Sequence, residues 1–294
     1  MNTENSQVGP PELPPSRRSN LVGYVEAPSL HVMSWNVRRR IRHLIPRPAD
    51  RWDRRAPALK ALLSAERPTL LGVQEALADQ AQFVGDSLGA NYAWVGRGRN
   101  ADGRGEGCPI YFDTQRLDLI DWKQTALSDR PTRPGSVSWG NVIPRILVSA
   151  AFVDRASARR FMVFNTHLDH LSGHSRLRSV QAIRRIIADS ELPAVLTGDM
   201  NAPAGSSVLC DLFHDDLVVE TWVNAHSRET EEWGTFANYK APRSGGKRID
   251  WIFASPVFRV ERVAINPQQY KGAWASDHLP VQTVLALPEH NNSP

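Results

Sequence analysis

Six short apolar runs in this 294-residue chain each carry, at or just past one end, a side chain able to hold a metal ion or move a proton. Residues 30–37 hold Asn36, and residues 70–74 run straight into Glu75. Residues 161–168 hold Asn165 and His167, with Asp169 and His170 just beyond. Residues 194–197 run into Asp199 and Asn201. Asp250 lies in 249–254, and Asp277 and His278 precede 281–287. A buried carboxylate is costly unless it is paired or bound to metal. One site where the strand ends meet is therefore the economical reading. Glu75, Asp199, Asp277, Asn36 and Asn201 all offer oxygen, which suits magnesium, with manganese or calcium as substitutes, rather than a thiophilic ion. Asp199 and Asn201 are two apart, so an extended backbone puts both on one face. One can orient a water while the other holds a phosphate or metal. Asp250 is a candidate partner for His278, and Glu106 for His167. A carboxylate behind an imidazole fixes its tautomer and raises its pKa.

Elements must deliver these groups. Eleven apolar runs read as buried strands: 30–37, 70–74, 92–96, 109–113, 117–122, 146–153, 161–168, 194–197, 249–254, 259–265 and 281–287. Two helices lie between them. One runs from an Asp53 cap to Glu66, with Pro57 in its first turn and Leu59, Leu62 and Leu63 on one face. The other runs from a Ser175 cap to about residue 190, with Leu177, Val180, Ile183 and Ile187 as its stripe. Arg176 and Arg184 fall off that stripe. Many strands and few helices predict a layered, β-rich α/β fold, with two packed sheets and helices outside.

Composition bounds the rest. Apolar residues make up 41% and charged residues 22%, which excludes wholesale disorder and a coiled-coil rod. No apolar run is long enough for a transmembrane helix. No signal peptide is apparent. Cys108 and Cys210 are too few for a disulfide framework, so a reduced, cytoplasmic protein is expected. The net charge is +4, and only five of the 35 basic residues are lysine. That charge is too weak to prove nucleic-acid binding. Residues 1–27 read as a flexible tail, 28–288 as one domain and 289–294 as a second tail. No protein partner is evident.

Six segments occur in order: Ser34-Trp35-Asn36-Val37, Gly72-Val73-Gln74-Glu75, Asn165 to His170, Leu196 to Asn201, Arg248 to Ile252 and Ser276 to Val281. Together they resemble the endonuclease/exonuclease/phosphatase superfamily, over roughly residues 29–287. That superfamily includes DNase I-like nucleases, abasic-site endonucleases, inositol polyphosphate phosphatases and sphingomyelinases. The segments Glu106 to Asp113, Trp139 with Pro144-Arg145, and His167 to His170 followed by Arg176 are similar to a bacterial subgroup labelled metal-dependent hydrolase. The resemblance implies a four-layered α/β sandwich, DNase I-like, with its site at one end of two packed sheets. It implies that Glu75 is the main metal carboxylate, with Asn36 and Asp277 beside it. Asp199 would position the attacking water and Asn201 the phosphate. His278, backed by Asp250, would be the essential histidine, and His167, supported by Glu106, the second. Arg145 and Arg176 would face the substrate.

The expected activity is magnesium-dependent hydrolysis of a phosphodiester, in nucleic acid or a small molecule. The alternatives are a phosphomonoesterase or a phospholipase C-like hydrolase of the same superfamily. Two rivals carry less. His167-Leu168-Asp169-His170 matches the end of an HxHxDH zinc motif, but position 165 is Asn165 and Glu75 would be left without a role. A binding scaffold would not need the complete site. Substrate choice is expected in the loops 97–108, 127–141 and 228–247. Trp139 and Trp274 are the candidates for stacking a base or sugar.

Overall fold

The computed structural model describes residues 20–41 and 47–287. In chain order the strands and helices are β1 (Ser29–Asn36), α1 (Trp52–Glu66), β2 (Leu70–Gln74), α2 (Ala78–Leu88), β3 (Tyr92–Val95), β4 (Ile110–Asp113), β5 (Leu117–Ala126), β6 (Ile146–Asp154) and β7 (Arg160–His167). There follow α3 (Gly173–Asp189), β8 (Ala194–Asp199), α4 (Ser207–Leu212), β9 (Val219–Glu220), α5 (Thr221–Asn224), β10 (Ser227–Arg228), β11 (Asp250–Ala254), β12 (Arg259–Ile265) and β13 (Val281–Ala286). One sheet runs β10-β12-β13-β1-β2-β4-β3 and the other β5-β6-β7-β8-β11-β9.

Strand alternation builds the layers. Leu30 and Val32 of β1 join Phe161 and Val163 of β7 and Val195 of β8 in the core between the sheets. Their neighbours Met33 and Trp35 face α1, where Leu59, Leu62 and Leu63 cover them. Phe164 and Leu196 face α3, under Val180, Ile183 and Ile187. The result is helices, sheet, sheet, helices: the four-layered α/β sandwich that the family resemblance implies.

Along the space between the sheets, character changes from apolar to polar. A buried polar layer comes before the strand ends. Gln74 Nε2 donates to Asn165 Oδ1 at 2.8 Å, and Thr197 Oγ1 donates to the same oxygen at 3.1 Å. Asn165 Nδ2 donates to the carbonyls of Val73 at 2.8 Å and Pro109 at 3.0 Å. Gly72 is required here, because a Cβ would lie 2.1 Å from Thr197 Oγ1. Asn165 therefore ties the two sheets together.

Two helix starts differ from expectation. Ser172, not Ser175, caps α3: its Oγ accepts from the Ser175 N–H at 3.0 Å. Asp53 lies inside the first turn of α1 and pairs with Arg51, and Arg51 at the cap position makes no side-chain cap.

Residues 20–27 have the composition of a tail, yet they are anchored. The N–H groups of Leu21, Val22 and Gly23 donate to the buried Glu66 carboxylate at 2.7, 3.0 and 2.9 Å. Val22 and Val25 pack on Ala264 and Val284. Residues 1–19 and 288–294 lie outside the described residues, and with them the rest of both expected tails. His31 sits beside this strap, its Nδ1 2.8 Å from the Gly23 carbonyl and its Nε2 3.3 Å from Gln282 Nε2. Burial lowers its pKa to about 4, against a partial upward pull from Glu66. The unfolded chain thus binds a proton near pH 6.5 that the folded chain refuses until about pH 4. Stability should fall as pH drops through that window, by up to a few kcal/mol. Urea midpoints at pH 7 and pH 5 check this, and His31→Gln should flatten the difference.

Candidate active site

The site lies where the polar layer reaches solvent. Strand register sets much of it. Asp199 pairs with Asp250 across the antiparallel β8–β11 ladder and with His167 across the parallel β7–β8 ladder. Asn36 ends β1 beside Gln74, the residue before Glu75. Glu75 takes the left-handed conformation, φ 63°, which turns the chain out of β2.

Asn36 links two carboxylates. Its Nδ2 donates to Glu75 Oε1 and to Asp199 Oδ2, each at 3.1 Å, while its Oδ1 accepts from the Arg38 N–H at 2.9 Å. Glu75 Oε2 accepts from the Arg39 N–H at 3.0 Å. Burial pushes the Glu75 carboxyl up, but His167, this N–H and the Asn36 amide outweigh it and hold it at about 2. Asp199 Oδ1 accepts from the Asn201 N–H at 2.9 Å, and Asn201 Nδ2 donates to the Leu168 carbonyl at 3.1 Å. Burial, then the charge of Asp250, raises Asp199 to about 7.

Both histidines flank Asp199. His167 Nε2 lies 3.6 Å and His278 Nε2 3.9 Å from Asp199 Oδ2. Their charge states differ. Burial lowers the pKa of His278, but Asp250, 2.8 Å from its Nδ1, more than reverses this and lifts it to about 10. Burial and then Arg145 push His167 well below its ordinary value. Phe236 meets the His278 ring edge-on at 5.0 Å. Asp277 accepts from Ser276 Oγ at 3.2 Å and lies 3.6 Å from Arg38 Nε.

Ten of the eleven candidate residues from the sequence line this site or support it directly, Glu106 among them. Two are corrected. Glu106 does not pair with His167: its carboxylate is taken by Arg99 at 2.8 Å and Arg39 at 3.0 Å. Arg176 does not line the cavity, since its guanidinium donates to the Asp169 carbonyl at 2.8 Å, behind the site. Arg145 does line it, almost fully buried, 3.4 Å from Asp169 Oδ2 and 3.1 Å from His170 Nδ1. Asp169 also accepts from the N–H groups of Leu171 and Ser172. Asp169 and His170 therefore serve a turn and an arginine. Among the described residues, the His/Cys/Asp/Glu group close enough to share an ion is Asp199, Asp250 and His278, which includes none of the HxHxDH residues.

The cavity is about 500 Å³, and Arg38, Arg39, Arg47, Arg99, Arg145 and Lys247 outnumber the carboxylates of Glu75, Glu106, Asp199 and Asp277 in its lining. Arg38, Arg39, Arg99, Phe236 and Asn238 were not singled out from the sequence. The run Arg38-Arg39-Arg40, two residues past Asn36, is the available signal. Trp139 and Trp274 are not among the lining residues: Trp139 donates to Asp129 under Arg178, and Trp274 packs on the core. Cys108 is buried, Cys210 is exposed and neither is paired.

A DNase I-like sandwich with carboxylates, amides and two histidines at one sheet end defines a phosphoester-cleaving class of protein. The family model for endonuclease/exonuclease/phosphatase proteins matches residues 33–278, and the chain belongs to that family of hydrolases acting on phosphoester bonds. A family protein from Bacteroides thetaiotaomicron superposes with a TM-score of 0.81 at 26% identity, covering 88% of this chain and 98% of that one. The mannosyl-6-phosphatase of the same organism gives 0.81 at 26%, covering 87% and 99%. The human nocturnin catalytic domain shares the fold, with a TM-score of 0.66 at 17% identity, covering 89% and 94%. An uncharacterized protein of Acanthamoeba polyphaga mimivirus is 25% identical over 269 residues, 80% of this chain and 92% of that one. No helix among the described residues is long and apolar enough to cross a membrane.

Proposed function

We propose that the chain is a magnesium-dependent phosphoesterase in which water attacks phosphorus in line. The observation that carries this reading is the convergence of Asn36, Glu75, Asp199, Asp277 and His278 on one cationic cavity. The donor set fits a hard ion: Glu75 and Asp277 bring carboxylate oxygens to the cavity, and no thiolate lines it. Glu75 and Asp277 would hold the ion, with the Asn36 amide orienting Glu75. When bound, magnesium supplies Lewis acidity to a phosphoryl oxygen.

The chain's own groups do the rest. Asp199, fixed by Asn36 and the Asn201 N–H, orients the water and accepts its proton. His278, kept charged by Asp250, donates to a phosphoryl oxygen as charge builds there. His167, neutral, offers a ring N–H hydrogen bond to the leaving oxygen. Arg39, Arg99, Arg145 and Lys247 attract the anion.

Of the two ester classes, the monoester is favoured. Six cationic side chains around a compact cavity suit a dianion on a small alcohol, and the mannosyl-6-phosphatase from Bacteroides thetaiotaomicron points the same way. The diester reading rests on the two histidines beside Asp199, which can serve bridging and non-bridging oxygens.

Chelator-stripped protein should hydrolyse p-nitrophenyl phosphate faster than bis-p-nitrophenyl phosphate once magnesium is restored. Glu75→Gln should need at least about 100-fold more magnesium for half-maximal rate, beyond the 10–100-fold typical of an outer partner. Chelator-resistant turnover, or an unchanged magnesium requirement in Glu75→Gln, would overturn the reading. A preference for the diester would select the second class.

A further inference from the structure

At Arg99 the cavity meets a groove of about 700 Å³. Its floor is residues 122–124 of β5, one wall is the loop 97–103 and the other is the turn 131–135. The groove is held by backbone. Gly98 N–H donates to the Gly103 carbonyl, Arg99 N–H to Glu106 and Asn100 N–H to Arg104, each at 3.0 Å. Ala126 N–H donates to the Pro131 carbonyl at 2.9 Å, fixing the turn to β5. Gln124 Oε1 accepts from the Arg97 N–H at 2.9 Å, tying wall to floor. The two walls touch where Gly135, φ 73°, meets Ala101, and a Cβ there would lie 2.6 Å from the Ala101 nitrogen.

Its chemistry is cationic. The Arg97 guanidinium stands over the Trp122 ring, 5.5 Å from the centroid. Arg97 and Lys123 are exposed, and neither has an ion-pair partner among the described residues. Asp102 is the one carboxylate in the lining; it accepts from the Arg104 N–H at 2.9 Å and lies 3.8 Å from the Arg104 guanidinium. Arg99 lines both the groove and the cavity.

We propose that this groove is a second anion subsite, which takes a phosphate carried on the substrate at a distance from the scissile one. The inference rests on the phosphoesterase reading and deepens it: the preferred substrate carries two phosphates. A bisphosphorylated small molecule and a short nucleic-acid strand share this chemistry.

Calorimetric titration separates these sources and does not depend on turnover. Asp199→Asn serves as the background to suppress hydrolysis, with magnesium present. The background should bind fructose 1,6-bisphosphate at least about tenfold more tightly than fructose 6-phosphate, the scale of one charge-assisted contact. Adding Arg97→Ala and Lys123→Ala should shrink that ratio to within about twofold and leave fructose 6-phosphate binding in place. A four-residue oligothymidylate is the second arm. Tighter, groove-dependent binding of it assigns the second phosphate to a strand; groove-dependent binding of the bisphosphate alone assigns it to a small molecule. No preference for a second phosphate in either arm, or a preference that survives both substitutions, overturns the subsite. Loss of metal-dependent turnover of the chromogenic esters in the wild-type chain would instead overturn the underlying activity.

Discussion

Asp199→Asn should abolish most turnover and at the same time stabilise the metal-free protein. Removing a group that orients water and accepts its proton costs about 10²–10⁴ in rate. The same carboxylate is buried opposite Asp250 across the β8–β11 ladder. Burial and that neighbour raise its pKa to about 7, so its charge is unfavourable to the fold. Asparagine keeps the shape and removes the charge. At about 2–4 °C per kcal/mol for a chain of this size class, relief of even 1 kcal/mol is visible in a melting curve. Turnover and melting temperature of chelator-treated protein should therefore move in opposite directions. A loss of both would mean that Asp199 is structural and that its place beside both histidines is incidental.

Asp250→Asn should be nearly as damaging, through His278. Asp250 touches no cavity wall; it acts from behind the imidazole at 2.8 Å. It is a positioning residue. With it, His278 keeps its proton to about pH 10. Without it, burial prevails and the folded-state pKa falls. A raised folded pKa contributes stability that is complete below the unfolded value, near 6.5, and is lost as pH climbs through about 10. The variant should lack that contribution across the neutral range. Its rate should drop by about 10²-fold or more at pH 7.5, and the alkaline limb of its pH profile should shift toward neutral. An unchanged alkaline limb would remove His278 from the role of charged donor.

Much of this was legible in the chain because alternation and burial leave marks in sequence. A run such as 194–197 followed by Asp199 is too apolar for a surface loop and too charged for a core, and both facts are local. All eleven expected strands are present, with ends shifted by a few residues and β5 running on to Ala126. The two-residue β9 and β10 were too short to leave a pattern. Glu106 shows where local reading fails. Its partners Arg99 and Arg39 lie 7 and 67 positions away, and nothing in the sequence says that they outcompete His167. Arg176 fails differently. It does lie off the apolar stripe of α3, but the stripe does not say that Asp169 turns its carbonyl toward it. The first-turn acid Asp53 looked like a cap because its side chain suits one, while its partner is Arg51.

His167, Asp199 and Asp250 stand in one row across three neighbouring strands, placed there by ladder register alone. Side chains alternate faces along a strand, so a one-residue slip would turn any of the three away from its neighbours. Insertions and deletions inside β7, β8 or β11 should be lethal to activity, whereas loops outside these strands, such as 97–103 and 131–135, can change length without turning the row. Such a scaffold can diversify by exchanging loops while its hydrolytic row stays untouched. The reach of the 97–103 loop and the 131–135 turn is then a quantity that selection can adjust without re-inventing the chemistry.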